Sequence, residues 1–427
     1  MGSHDEGGGC PYTPSRRGLF AGLGALGAGT FLSGASACAS AAAEDVGHER
    51  SGGVVPFHGR HQAGVGTPQQ DRLVFAAYDL SSKGSVAENR KALTTLLRTW
   101  TAAAEKMCHG KPVPGESDEL MAPPADTGEA RGLPPSDLTV TVGFGPSLFD
   151  DRFGLAGKRP AALADLPRLP PQDLDPERCG GDLCIQACAS DPQVAFHAVR
   201  NLARLGREQA VVRWVQLGFG RAASTSKKQD TPRNLFGFKD GTNNIKVEDS
   251  DAMNSYVWVG DETDQPWMKH GTYLVARRIA MRTEAWDRDY LADQQRVFGR
   301  VKTTGAPLTG TKEFDPVQLK EKGPDGQPRI PMDAHIRLAG PSNNGGERIL
   351  RRAFNYTDGM LANGELDAGL FMIIFQQDPW KQFVRIQRSL GSHDALSEYI
   401  EHVGSGLFAC PPGVREGRYW GQSLLEG

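Results

Sequence analysis

A carboxylate lies at the tip of a glycine-containing turn in the segment "NLFGFKDGTNN", residues 234–244. Asp240 is followed by Gly241. Asp-Gly is a common turn dipeptide, because Asp hydrogen-bonds its own backbone and Gly tolerates positive φ. Taken alone, the segment predicts only a type I or I′ turn. Asp240 can do acid–base chemistry only if the rest of the chain supplies partners for it.

A histidine and a pair of arginines lie downstream. His335 begins "HIRLAG", and residues 334–340 are predicted to form a strand. In "ILRRAF", alternation along a strand would put Arg351 and Arg352 on opposite faces, so one of them must point into the interior or a pocket. A buried arginine needs an anion. A salt bridge to an ordinary Asp or Glu is the simplest such partner, and a propionate or a reacting oxyanion is the alternative.

The overall composition restricts the classes of function. The chain has 427 residues, enough for two domains, and 48 Lys and Arg against 51 Asp and Glu give a net charge of −3. The basic residues are scattered, so nothing indicates a nucleic-acid partner. After residue 45 no segment has the roughly 18 apolar residues that a membrane span needs. We therefore expect a globular protein with no stable membrane span in the mature chain.

The N-terminus has the order of blocks found in an export signal. Arg16 and Arg17 precede a short, glycine-rich apolar run over residues 18–32, and small residues then offer A-x-A cleavage sites. Twin arginines before such a run indicate the Tat route. We interpret residues 1–43 as a Tat signal peptide, with the Tat export machinery as a partner. The predicted location is periplasmic or extracellular, with cell-surface association as a variant, and a cofactor loaded before export would suit this route.

The remaining chain repeats an α+β pattern. The segments "DLCIQACASDPQVAFHAV" and "GLFMIIFQQDPWKQFVRI" share an apolar strand, an Asp-Pro pair and a helix with Phe at the same offset. An internal duplication is the economical interpretation. Two ferredoxin-like units, each an antiparallel sheet with helices packed on it, fit the pattern best. We predict an N-terminal arm at 44–68, an N-terminal unit at 69–225 and a C-terminal unit at 226–427.

Apolar spacing predicts individual elements within these units. Single helices are predicted over residues 85–107 and 283–300. Cys184 and Cys188 alternate with apolar residues in a predicted strand, so we expect both on one face. Buried thiols are the simpler interpretation, and a bridge to Cys179 is the alternative outside the cytoplasm.

Four segments in a fixed order carry a resemblance to a known family: "RNLFGFKDGTNN" around Asp240, "AHIRLAGP" with His335, "RILRRAFNY" with Arg351, and "FQQDPWKQFVRIQRSL". Together they resemble the dye-decolourising peroxidases. The predicted signal, with "VPFHGRHQAG", "CGGDLCIQACASDPQVA" and "QPWMKHGTYLVARRI", resembles the exported, deferrochelatase-like branch. The resemblance covers the chain from Val55 onward.

The resemblance implies a haem b site formed mainly by the C-terminal unit. His335 would bind the haem iron as the proximal metal ligand, with its other ring nitrogen held by an acid that the sequence does not identify. On the other face, Asp240 would move a proton between the two peroxide oxygens, and Arg351 would stabilise the departing negative charge. The resemblance also implies further haem-binding residues: Gly241, Thr242, Asn243, Gly340, Pro341, Ser342 and Arg351 itself.

The implied activity is that of a haem b peroxidase, which uses H2O2 to oxidise bulky phenolic or dye-like electron donors. Within the family the alternative is a deferrochelatase, which takes haem as its substrate and releases the iron. In another class, a non-catalytic haem-binding or haem-delivery protein would not need Asp240 and Arg351. Trp258, Trp267 and Tyr356 are candidate electron relays, but a packing role explains each of them better. A homo-oligomer is compatible with all of these interpretations.

Overall fold

The computed structural model describes residues 52–113, 115, 119–391 and 393–427. The predicted signal peptide and the first residues of the predicted arm lie outside this range. The described remainder of the arm is irregular in backbone but packed on the protein, since Phe57 and Val65 are buried. Within the described range, no helix has both the length and the apolar character needed to cross a membrane.

Nine strands and eight α-helices occur in the described part of the chain. The strands are β1 (Arg72–Leu80), β2 (Thr139–Phe144), β3 (Leu183–Ala189), β4 (Ala210–Arg221), β5 (Thr272–Met281), β6 (Leu350–Arg351), β7 (Phe354–Met360), β8 (Leu366–Gln376) and β9 (Ile400–Cys410). The helices are α1 (Val86–Cys108), α2 (Pro192–Leu205), α3 (Ser250–Tyr256), α4 (Thr283–Trp286), α5 (Leu291–Phe298), α6 (His335–Leu338), α7 (Phe383–Gly391) and α8 (Gln422–Glu426).

Two four-stranded antiparallel sheets have the same strand order. The order is β4-β1-β3-β2 in the first half and β9-β5-β8-β7 in the second, with the short β6 beside β8. β2 pairs with β9 and β4 pairs with β7, so eight strands close into a ring. The structure thus confirms the predicted α+β class with two ferredoxin-like units. The predicted boundary between residues 225 and 226 falls in the segment joining β4 to α3 and stays a prediction.

Each strand presents alternate residues to the interior of the ring and to the helices outside it. On β1, Phe75 faces the interior and Val74 faces the helices. The same alternation puts Cys184 and Cys188 in the interior, which confirms the prediction that they share a face. Every cysteine in the described part of the chain, Cys179 included, is a free thiol.

The long helix α1 covers the first sheet. Ser85 and Glu88 form a capping box, in which the hydroxyl of Ser85 accepts from the N–H of Glu88 and the carboxylate of Glu88 accepts from the N–H of Ser85. Leu93, Leu96 and Trp100 are buried, at the spacing that predicted the helix. Nε1 of Trp100 donates to a carbonyl of α2 at 2.8 Å. The helices of the first half therefore form a packed apolar layer on their sheet.

Three predicted elements differ in the structure. The helix predicted over 283–300 is divided into α4 and α5, because Trp286 is anchored in an aromatic cluster and the next residues turn. The strand predicted over 334–340 is wrong: His335 begins the short helix α6, where the N–H groups of Arg337 and Leu338 both donate back to one carbonyl. The strand that contains "ILRRAF" breaks between β6 and β7, where the buried Arg352 donates to the carbonyl of Thr67 in the N-terminal arm and to the side chain of Gln70.

Candidate active site

A cavity opens on the helix-covered face of the second sheet. Its floor is made by side chains that alternate along β5 and β8, among them Ile279, Leu370, Met372 and Ile374. Phe383 of α7 contributes to the opposite wall. The residues of β5 and β8 that face the interior of the ring are also apolar, so these two strands are hydrophobic on both faces. The cavity is therefore lined mainly by apolar groups, with a few polar side chains projecting into it.

Asp240 and Arg351 meet in this cavity, as the family resemblance implied. Oδ1 of Asp240 accepts a hydrogen bond from Nη1 of Arg351 at 2.6 Å, and Oδ2 accepts from Nδ2 of Asn234 at 3.2 Å. The two side chains are only 12% and 21% exposed, so solvent screens this ion pair less than it screens a surface pair. Nε of Arg351 is buried and has no hydrogen-bond partner among the described residues. The guanidinium therefore keeps a donor for a further group.

One amide fixes the relation between the turn and β6. Nδ2 of Asn244 donates to the carbonyl of Arg351 at 2.8 Å, and its Oδ1 accepts from the N–H of Arg351 at 2.9 Å. Gly241 has φ +92°, and a Cβ there would lie 3.0 Å from the backbone of Ala223, so a side chain would be strained and crowded. The turn that carries Asp240 and the strand that carries Arg351 are thus held in register.

His335 also lines the cavity. Its Nδ1 lies 2.6 Å from Oδ2 of Asp394, so Nδ1 donates to the carboxylate and Nε2 remains available to a metal. Burial lowers the pKa of His335, but the charge and hydrogen bond of Asp394 raise it more, and the pKa lies above its usual value. Asp394 is 2% exposed and also accepts from the N–H of Leu396 at 2.9 Å. The acid that orients His335 is therefore itself held by the backbone.

An aromatic cluster joins the turn to His335. Phe236 and Phe238, just before Asp240, are almost fully buried. Phe236 stacks on Trp286 with ring centroids 4.5 Å apart, and Phe238 stacks on Phe298 at 4.2 Å. Phe298 in turn contacts the His335 ring edge to face at 6.1 Å. The apolar residues of the opening motif therefore anchor the turn to the same cluster that supports the histidine.

The structure places most of the other predicted site residues on the cavity wall. Those that line it are Gly241, Thr242, Asn243, Gly340 and Pro341. Ser342 is exposed and lies outside the lining. The three aromatic residues considered as electron relays are buried, and none of them lines the cavity. Haem contact by each of these residues stays a prediction.

Sequence reasoning missed Asp394, Asn234 and Asn244. Asp394 directly precedes a helical turn, Ala395–Glu398. An aspartate at that position is a typical N-cap signal. That signal predicts a cap but not a partner for His335. The two asparagines belong to the opening motif, where amide-rich composition indicates only a turn. Their roles depend on which strand packs beside the motif.

The residues present suit a flat, mainly apolar prosthetic group that carries a metal and acidic substituents. The imidazole of His335 offers Nε2 to a metal, and the cavity walls are mainly apolar. Gly241 and Gly340 let the backbone come close to the edge of such a group, because they have no side chain. Arg300 and Arg348 also line the cavity and could neutralise acidic groups. The fold and site together are those of an oxidoreductase centre, with a histidine that could bind a metal and a buried acid–arginine pair at one cavity.

The chain belongs to the Dyp-type peroxidase family. The family profile "Dyp-type peroxidase, N-terminal" matches residues 62–220, and "Dyp-type peroxidase, C-terminal" matches residues 231–415. This assignment confirms the family predicted from the four sequence segments. It also confirms that the protein is an enzyme of the oxidoreductase class.

Relatives match almost the whole chain. A deferrochelatase of Yersinia pestis is 39% identical over 424 residues, which cover 97% of this chain and 95% of the relative. A deferrochelatase of Shigella flexneri is 38% identical, with 97% of each chain covered. Among solved structures, a DyP-type peroxidase from Streptomyces coelicolor is 41% identical with a TM-score of 0.80, covering 88% of this chain and 98% of its own. One from Cellulomonas bogoriensis is 39% identical with a TM-score of 0.79, covering 88% and 99%.

Proposed function

We propose that this protein is a haem b peroxidase that uses H2O2 to oxidise bulky phenolic or dye-like donors. The observation that carries the proposal is that two paired sets of residues open into one apolar cavity: His335 with Asp394, and Asp240 with Arg351. A haem-binding or haem-delivery protein would need the first set but has no use for the second. Haem b would supply the redox chemistry with peroxide.

The first set would hold the haem. Nε2 of His335 would bind the iron, while Asp394 fixes the ring and makes it a more basic ligand. Arg300 donates to the carbonyls of Gly305 and Glu313 and has no ion-pair partner within the described ranges. Burial lowers the pKa of Arg300, so an acidic substituent of the haem would compensate a desolvated cation.

The second set would handle the peroxide proton. Oδ1 of Asp240 is engaged by Arg351, whereas Oδ2 has only the longer contact from Asn234. Oδ2 is therefore the oxygen we expect to accept a proton from one peroxide oxygen and return it to the other. Nε of Arg351, which has a free N–H, would stabilise the negative charge that develops as the O–O bond breaks.

The absorption spectrum tests the haem assignment. The purified parent should show a Soret band, and His335→Ala should lose it or bind haem weakly, because no other imidazole is held in the same way in the described part of the cavity. The matched control is His109→Ala, an exposed histidine of the first half. An unchanged spectrum and unchanged dye oxidation in His335→Ala would remove this residue from the role.

Release of iron from haem is the second candidate function. It is favoured by the relatives from Yersinia pestis and Shigella flexneri, which carry the name deferrochelatase. Incubation of the haem-loaded protein under reducing conditions, followed by chromatography of the extracted pigment, separates the two functions. Iron-free protoporphyrin would support the second candidate, whereas intact haem with peroxide-dependent dye oxidation would support the first.

We also propose export by the Tat route to the periplasm or the cell exterior, on the basis of Arg16 and Arg17. Changing both residues to Lys should leave the precursor in the cytoplasm, because the Tat route depends on the arginine pair. Fractionation of cells that express the full chain measures this outcome. Mature protein outside the cytoplasm at the parent rate would contradict it.

A further inference from the structure

A second cavity contains a buried cation that no described side chain neutralises. It shares no lining residue with the first cavity and is formed by residues 166–168 and 172–174 together with Arg277 of β5 and Ser405 of β9. Arg277 is 1% exposed. Nε and Nη1 of its guanidinium are buried and lack a hydrogen-bond partner among the residues that the structure describes. Cζ of Arg277 lies over the ring of Phe383, 5.3 Å from its centroid.

The neighbouring arginine on the same strand gives a direct comparison. Alternation along β5 turns Arg278 to the other face, where Nη2 donates to Asp358 at 3.0 Å and to Asp367 at 2.7 Å. Arg278 is nearly as buried as Arg277, but it has two carboxylates. Among the residues that the structure describes, Arg278 therefore has carboxylate partners and Arg277 has none.

The described groups around Arg277 do not provide an internal anion. Asp173 lines the same cavity but is exposed and makes no ion pair with Arg277. Burial raises the pKa of the Cys179 thiol, so that thiol stays protonated at neutral pH. Burial, followed by the charge of Arg277, lowers the pKa of His402 to about 3, so His402 is neutral. Burial also lowers the pKa of Arg277, but only to about 10, so it keeps its charge.

We propose that this cavity binds a small organic carboxylate, with Arg277 at its floor as the charged partner. A planar guanidinium can donate two parallel hydrogen bonds to a carboxylate, which suits this class of anion. Arg168 stands exposed at the rim without an ion-pair partner in the described part of the chain, and the hydroxyl of Ser405 faces the same cavity. Leu166 and Leu174 offer apolar contact to the organic part of the ligand. An arriving carboxylate would replace the solvation that burial removes from Arg277.

Benzoate is a suitable probe, with benzamide as its neutral counterpart. Titration calorimetry on the haem-loaded full chain should show saturable benzoate binding and no benzamide binding. Arg277→Met should weaken benzoate binding at least tenfold, and Arg168→Gln several-fold. The exposed Arg207→Gln should leave the affinity unchanged, because it lies after α2, outside this cavity. Arg351→Leu should also keep the affinity, which separates this cavity from the first one.

Thermal unfolding without benzoate distinguishes a ligand-binding arginine from a structural one. Removing a buried, unpaired charge while keeping an apolar side chain should not destabilise the fold, so Arg277→Met should melt at the parent temperature or higher. Arg278→Met should melt lower, because Asp367 loses its ion-pair partner and Asp358 keeps only the longer ion-pair contact from Arg178, at 3.9 Å. Benzoate should raise the melting temperature of the parent but not that of Arg277→Met.

Three results would overturn the proposal: no saturable benzoate binding by the parent, equal binding of benzamide, or parent-like affinity in Arg277→Met. If Arg277→Met did not fold, Arg168→Gln and Ser405→Ala would decide. Each of these two variants must weaken benzoate binding without changing the haem spectrum. If both bound benzoate with the affinity of the parent, the proposal would be overturned.

Discussion

The two halves of the molecule share one strand order but use the helix-covered face of their sheets differently. In the first half, the 23-residue helix α1 lies on the sheet and buries residues such as Leu96 and Trp100. In the second half, the short helices α4 and α5 and the irregular segment 299–334 follow β5 instead. The face of β5 and β8 is consequently free to line a cavity. The two sheets are equivalent scaffolds, and the segment that covers each sheet decides whether its outer face is fully packed or lines a cavity.

Buried histidine–carboxylate pairs show the same contrast. In the first half, Nε2 of His197 lies 2.9 Å from Asp126, which also accepts from the N–H groups of Val113 and Gly128 and thereby tethers a loop. This pair joins helix α2 to the loop that carries Asp126. In the second half, Asp394 engages Nδ1 of His335 and leaves Nε2 at the cavity. Similar pairs therefore hold a loop in one half and line a cavity in the other, where we propose that the pair holds the haem.

The largest expected effect is on the reaction with peroxide. Asp240→Asn keeps the size of the side chain but cannot accept the proton, and we expect a rate lower by about 10²–10⁴-fold. Arg351→Leu removes a charge-stabilising donor, with an expected loss of about 10²–10³-fold. Because both residues act on one transition state, the double variant should be little worse than the poorer single one. Stopped-flow spectra after mixing with peroxide measure these rates per bound haem.

Asp126→Asn is the matched control from the first half and should react at the parent rate. If both Asp240→Asn and Arg351→Leu also reacted at the parent rate, the proposed role of the Asp240–Arg351 pair in the first cavity would be wrong, and the motif around Asp240 would be only a turn.

The next largest effect concerns haem retention. Asp394→Asn weakens the hydrogen bond that orients His335, and such partners of metal ligands typically contribute about 10–100-fold in metal affinity or activity. We expect faster haem transfer to a scavenger protein, followed by the change in the Soret band. Asp126→Asn should not accelerate the transfer. If Asp394→Asn and Asp126→Asn transferred haem at equal rates, the His335–Asp394 pair would have no special role in holding the haem.

A core substitution in the first half should lower the free energy of unfolding and leave the rate of reaction with peroxide unchanged. Leu96 is 1% exposed, and Leu96→Ala should lower the free energy of unfolding by about 2–5 kcal/mol because it leaves a cavity. Leu120, 98% exposed, provides the control variant Leu120→Ala, which should change little. Urea unfolding measures the stability. A large loss of peroxide rate per haem in Leu96→Ala would break the division between a packed half and a reactive half.

The smallest effect is a pH dependence of stability. His402 is 2% exposed, and burial, followed by the charge of Arg277, lowers its pKa to about 3. Between pH 6.5 and pH 3 the unfolded chain binds a proton there and the folded chain does not, so stability falls as pH falls. The contribution is about 2 kcal/mol at pH 5. His402→Gln should therefore lose less stability than the parent between pH 7 and pH 5 in urea unfolding, and an equal loss would contradict the assignment.

The sequence by itself determined the repeated pattern and the main site residues. The two Asp-Pro segments indicated the duplication, because local apolar spacing and turn residues specify strands and helices over short distances. Ser85 and Glu88 fixed the start of α1 by a local capping box. Asp240, His335 and Arg351 were indicated by the family resemblance of the segments that contain them, because each residue type alone also suits a structural role; their roles at a haem stay predictions.

Only the tertiary structure decided how these residues are paired. Asp394 lies 59 residues from His335, and Asn244 lies 107 residues from Arg351, so no local pattern relates them. Alternation predicts which face of a strand a side chain occupies, but its partner depends on the strand or loop that packs there. His335 is on a short helix rather than a strand for a similar reason, since its segment has no neighbouring strand with which to pair and closes its hydrogen bonds locally.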